Sequence, residues 1–243
     1  FYLFILLFNE KFKIRIKLII FSCISGIFFH VLYLGGVFYS IYIGLPANIS
    51  ALIVSMHPIL TNLLAGPILK EKTNFYQWFG ILLAFIGIVL VLGYDIGDDI
   101  PMFGIIFSII ALFGATIGTL WQKKFNNNLP ITINNFYQAF AACILFFIIM
   151  YIFETPNIEL NTKFIFSMTW QIVAVSFGAF TILMYLIKSN SATKTSNLFF
   201  LIPPLSAIMA WLFLNEKINS YDICGFIFCS IGVYFSINYS KSK

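Results

Sequence analysis

Eight continuous apolar runs of membrane-crossing length divide this chain, at about residues 18–41, 46–69, 75–94, 102–121, 133–153, 165–187, 195–214 and 221–239. A helix needs about 20 apolar residues to cross roughly 30 Å of hydrocarbon. A transmembrane strand needs only about 10 residues, alternating polar with apolar. These runs are twice that length and do not alternate, so helices are expected. Composition agrees on the solvent: 60% of the 243 residues are apolar and 9% charged, where a soluble domain carries about 25% charge. So few charges cannot coat a water-soluble body of this size. A soluble enzyme, a disordered tail and a disulfide-stapled secreted domain are thereby excluded. The expected fold class is an all-α integral membrane protein.

Charge gives the expected orientation. With the loop at 9–17 placed in the cytoplasm and the spans alternating, 12 of the 14 basic residues fall inside: Lys11, Lys13, Arg15, Lys17, Lys70, Lys72, Lys123, Lys124, Lys188, Lys194, Lys241 and Lys243. Only Lys163 and Lys217 fall outside. Short cytoplasmic loops accumulate Lys and Arg in this way, so the C-terminus is expected in the cytoplasm. The same clustering between apolar runs argues against nucleic acid as a partner, despite a formal charge of +5. The chain opens with eight apolar residues and a basic segment. Residues 1–8 are read as the tail of a span whose start is missing.

No cofactor or metal is expected from the pattern. The four cysteines, Cys23, Cys143, Cys224 and Cys229, lie inside apolar runs without C-x-x-C spacing, as small buried hydrophobes do. Neither a phosphate-binding G-x-x-x-x-G-K-[ST] loop nor an H-E-x-x-H or G-x-S-x-G motif occurs.

The chain also repeats itself. Shifted by 145 residues, HPILTNLLAGPILKEKTNFYQWFGILLAFIG (57–87) lies over IPPLSAIMAWLFLNEKINSYDICGFIFCSIG (202–232), with 11 identities in the 30 columns from Pro58/Pro203 onward. They include Glu71/Glu216, Lys72/Lys217, Gly80/Gly225 and Gly87/Gly232. By charge, one copy's Glu-Lys loop lies inside and the other's outside. Two units in opposite orientation form the inverted repeat of secondary carriers, with the solute site where matched helices are interrupted. Five spans run from 102 onward, so each unit should hold five, and the domain expectation is 1–94 (incomplete at its start) and 95–243.

The stretches YLGGVFYSIYIGLPANISALIVSMHPILTNLLAGPILKEK (33–72) and SATKTSNLFFLIPPLSAIMAWLFLNEK (191–217), each followed by a helix with glycines seven apart, resemble the drug/metabolite transporter superfamily, specifically its EamA-domain members. The resemblance implies ten helices in two five-helix repeats, of which about eight full spans are present here. It also implies a carrier of small metabolites, amino acids or related compounds, working as an exporter in a bacterial inner membrane. The expected partners are a small-molecule substrate and the lipid bilayer, with a homodimer and coupling to protons left open.

The residues suggest where a solute would sit. Pro58 and Pro203, with Pro204 beside it, lie at matched mid-span places, where a missing N–H loosens the helix. In lipid such a break is tolerated only where protein or a water-filled cavity meets the freed group. His30 and His57 are the only histidines, both within spans, and ionisable groups at that depth usually face a cavity. Tyr33 follows His30 by one helical turn. Asn62, Gln138, Thr181 and Asn197 are further polar residues in or near spans. These, with Tyr185 in a position where EamA relatives commonly carry an aromatic, give the expected cavity set: His57, Pro58, His30, Tyr33, Tyr185, Pro203 and Asn197. Glu71 and Glu216 stand 13 residues beyond their prolines at opposite faces, too far apart for shared acid–base work. For them the resemblance implies a structural or gating role at helix ends. No residue is expected to be catalytic. The other readings are a membrane enzyme on lipid-linked substrates, which should gather carboxylates at one interface, and a non-transporting membrane scaffold.

Overall fold

The computed structural model describes residues 15–92, 101–126, 129–153, 160–214 and 220–238, and the described residues form helices, turns and short connections. The helices are α1 (Ile16–Tyr42), α2 (Ala47–Val54), α3 (His57–Leu69), α4 (Phe75–Leu92), α5 (Met102–Phe125), α6 (Ile131–Phe153), α7 (Thr162–Ser189), α8 (Ala192–Asn197), α9 (Ile202–Leu214) and α10 (Ser220–Asn238). Among the described residues, seven segments are long and apolar enough to cross a membrane, α2 and α3 acting together as one of them. The eighth expected run, 195–214, lies in α8, a 3₁₀ turn at Leu198–Leu201, and α9. Side chains such as Phe147, Tyr151, Phe166 and Val173 stand well exposed on the outside, as a lipid-facing surface requires.

The repeat is legible in three dimensions. α4 and α10 pack antiparallel at backbone distance. A Cβ added to Gly80 would come within 2.5 Å of the Gly232 carbonyl oxygen, and one added to Gly87 within 2.6 Å of that of Gly225. Under the 145-residue shift the first contact is the image of the second. Midway, Ala84 and Cys229 are images of one another and touch, the Cys229 thiol donating to the Ala84 carbonyl at 3.3 Å. Ile81, Ala84, Ile88, Phe200, Cys229 and Val233 form the dry core of this seam. In hydrocarbon, where apolar burial gives helices little reason to associate, small residues that admit close contact supply the attraction.

Two more features recur at nearly the same shift. The middle of α1 is π-helical over Ile27–Gly35, and so is the middle of α7 over Gln171–Ala179. The helix break between α2 and α3 is matched by the 3₁₀ turn between α8 and α9. α5 runs through the middle of the bundle and meets α1, α2, α3 and α8. Its Gly114 and Gly118 admit Leu32, Phe28 and Phe29 of α1.

Candidate functional site

Pro58 and Pro203 both stand in the first turn of a helix that starts inside the membrane. There the absent N–H leaves no intrahelical bond unmade and the ring's fixed φ suits the helix. α2 ends at Val54, Ser55 and Met56 turn, and α3 restarts at His57. In the other half the chain tightens into the 3₁₀ turn and α9 restarts at Ile202. Both Pro58 and Pro203 are buried.

The two breaks are tied to each other. Asn62 Nδ2, one turn into α3, donates to the Pro58 carbonyl at 2.7 Å and to Asn197 Oδ1 on α8 at 2.7 Å. Both side chains are almost fully buried, at 2% and 0% exposure. Asn62 Oδ1 and Asn197 Nδ2 have no hydrogen-bond partner among the described residues. His57 is also fully buried. Its Nδ1 lies 3.2 Å from Thr61 Oγ1 and 3.3 Å from Thr116 Oγ1 of α5, and its ring meets Phe199 nearly at right angles, centroids 4.9 Å apart. His57, Asn62 and Asn197 therefore gather where the two repeats meet, amid neutral polar groups and one aromatic ring. Such a set can orient a solute by hydrogen bonds.

The remaining expected residues sit elsewhere. His30 lies in the π-helical part of α1, half-buried, with its ring 4.5 Å from that of Phe180 and its Nε2 unpartnered among the described residues. Tyr33 packs against the Phe29, Met184 and Ile187 cluster. Tyr185 stands apart from every one of these: it is 59% exposed on the outer side of α7, where Met184 and Ile187 turn inward. At about 100° per residue, Tyr185 cannot share the inward face with Met184. Glu216 lies outside the described residues.

Glu71 has a defined task. α3 ends at Lys70 in the left-handed region (φ 60°), which turns the chain so that the Glu71 carboxylate reaches the start of α8. Oε1 accepts from the Ala192 N–H at 2.9 Å and Oε2 from the Thr193 N–H at 3.1 Å. A carboxylate suits a helix N-terminus because the free N–H groups there point at it. Lys123 Nζ of α5 completes the arrangement by donating to the carbonyls of Ile187, Lys188 and Asn190 at the end of α7. The turn between α7 and α8 is thus held from both sides.

Two sets of residues escaped sequence reasoning. Thr61 and Thr116 look in sequence like ordinary span threonines satisfied by their own helix. The second is a buried amide cluster: Ser25, Asn126 and Gln138 all donate to Gln122 Oε1, and Ser22 donates to Asn134 Oδ1. Only Gln138 stood out beforehand. The 16-residue separation of Gln122 and Gln138 across a helical hairpin was the available signal.

Comparison with known proteins bears on what this arrangement serves. The family model for the EamA-like transporter family matches residues 1–93 and 102–238. An uncharacterized transporter of Bacillus subtilis, YyaM, is 29% identical over 223 residues, which cover 86% of this chain and 69% of that protein. A probable amino-acid metabolite efflux pump of Escherichia coli is 23% identical over 211 residues, 82% of this chain and 70% of the pump. An uncharacterized transporter of Clostridium kluyveri is 26% identical over 205 residues, 81% of this chain and 65% of its own length. The chain thus spans about two thirds of the length of these relatives. A crystal structure only 15% identical shares the fold at a TM-score of 0.77, over 91% of this chain and 77% of the other. Seven membrane-length helices and a family match over nearly the whole chain leave one assignment: this integral membrane protein belongs to the EamA-like transporter family.

Proposed function

We propose that the chain is a carrier that moves small metabolites, amino acids or compounds derived from them, out across a bacterial cytoplasmic membrane, with its C-terminus in the cytoplasm. One observation carries the reading. The matched interruptions before Pro58 and Pro203 are joined by the Asn62–Asn197 hydrogen bond, which puts unpaired polar atoms at the boundary between two inverted units. Carriers of this design bind their solute at that boundary and rock the units about it. Glu71 holds one end shut by capping α8, and opening at that end would require its two hydrogen bonds to part. The substrate class leans on the printed name of the Escherichia coli relative, and the orientation on the distribution of Lys and Arg. An enzyme fits less well: among the described residues no three His, Cys, Asp or Glu side chains gather, and the site groups are neutral.

The test is flux through proteoliposomes holding the protein and loaded with a mixed metabolite extract, with and without a pH gradient. Protein-dependent loss of one compound class is the expected result. The two histidines within the spans are the groups on which a pH gradient would act, and they are the first variants to make if flux follows it. A monodisperse protein that moves no compound overturns the reading.

A further inference from the structure

The His57 ring makes its hydrogen bonds through one nitrogen only. Nδ1 lies near two hydroxyls, Thr116 Oγ1 at 3.3 Å and Thr61 Oγ1 at 3.2 Å, while Nε2 is buried and has no partner among the described residues. The Thr116 hydroxyl decides the tautomer. Its single hydrogen is held by the Leu112 carbonyl at 2.8 Å, a much shorter contact than the one to the ring. A carbonyl only accepts, so Thr116 Oγ1 turns a lone pair toward His57. If Nδ1 were bare, two lone pairs would face each other at 3.3 Å. This arrangement assigns the ring hydrogen to Nδ1, with Thr61 Oγ1 as a second acceptor; the opposite tautomer, in which Thr61 donates to a bare Nδ1, is the one the spectrum below distinguishes from it. With Nδ1 protonated, the other nitrogen of the neutral ring is a pure acceptor.

An acceptor this deeply buried is costly to leave without a donor. Two further features describe the donor that would suit it. Asn62 Oδ1 is a second buried acceptor without a partner among the described residues, five residues along the same helix. The Phe199 ring lies beside His57, centroids 4.9 Å apart, and an aromatic face is a surface on which an ammonium can rest. We propose, building on the carrier reading above, that Thr116 fixes the Nδ1–H tautomer of His57 and that His57 Nε2 recognises an N–H donor, a primary ammonium, on the carried solute. Thr116 is the positioning residue and His57 the binding residue. A quaternary amine of the same charge has no N–H to give, is bulkier by its methyl groups, and is discriminated against.

The test reads the ring nitrogens directly, by nuclear magnetic resonance of protein labelled with ¹⁵N at histidine and held in lipid bilayers. Comparison with a His30→Asn variant assigns the His57 signals. The expected spectrum shows Nδ1 protonated and Nε2 not. Thr116→Ser keeps it, and Thr116→Val moves the ring toward the opposite tautomer. Protonation of Nε2 in the unmodified protein, alone or together with Nδ1, overturns the assignment, as does a Thr116→Val spectrum indistinguishable from it. The recognition step is read in the same samples with alanine and its N-trimethyl betaine, both zwitterions. Alanine should shift the Nε2 signal and outcompete the betaine by about tenfold, the discrimination expected of one buried hydrogen bond. Thr116→Val should lose most of that preference. If a panel of ammonium-bearing solutes leaves Nε2 unmoved, the recognition step fails. Proteoliposomes that carry nothing overturn the carrier reading instead and leave the tautomer result standing.

Discussion

The seam between α4 and α10 and the joint between α3 and α8 both bring one repeat against the other, and they are built on opposite principles. The seam has glycines and small side chains at contact distance, a dry core, and a symmetric pattern in which each contact has its image. The joint has broken helices, an amide–amide hydrogen bond and several polar atoms left unpaired. Close packing has no intermediate states and resists sliding, whereas a polar contact can exchange one partner for another at modest net cost. In the carrier proposed above, the seam fastens the repeats and the joint is where they rearrange. A carrier needs both.

Substitutions can break that contrast. The largest effect is expected at the seam, where Gly87→Leu would push a side chain into the Gly225 carbonyl and Cys229. Overpacking of that kind costs about 3 kcal/mol, so unfolding of the reconstituted protein in graded denaturant should shift strongly or the variant should fail to accumulate. Next is Glu71→Ala, which strips the first N–H groups of α8 of their acceptors. Losing charge-assisted bonds there should cost about 2 kcal/mol and speed hydrogen exchange at Ala192 and Thr193. At the joint, His57→Leu should change stability by no more than about 1 kcal/mol, because it removes a polar group that is only partly satisfied, and yet it should abolish flux. A large loss of stability with flux retained would reverse the roles assigned to the two regions. The smallest effect is expected from Tyr185→Phe, within about 0.5 kcal/mol and without effect on flux, since that side chain is mostly exposed.

Much of this was legible in the sequence. Seven of the eight expected spans and the break positions followed from apolar length and from prolines at matched places, both properties of the chain alone. The glycines at 80, 87, 225 and 232 announced close packing, and the repeat implied inversion. What the sequence did not hold was which helices meet. Thr116 became significant only when α5 was seen beside α3, and the acceptor for Asn62 was 135 residues away. The outward placement of Tyr185 was hidden for a related reason. An aromatic in a span can face lipid or the bundle interior, and the rotation of α7 is fixed by Met184 and Ile187 packing on Phe29, a contact between distant segments.

Because Ala84 and Cys229 are equivalent positions that touch each other, the seam is an isologous interface folded into one chain. A patch of this kind is self-complementary, as in a homodimer. A residue near the local two-fold axis meets its own counterpart, and any change in one half alters one side of a contact the other half must accommodate. Exchanging the two residues, Ala84→Cys together with Cys229→Ala, should therefore be nearly silent, while either change alone unbalances the seam.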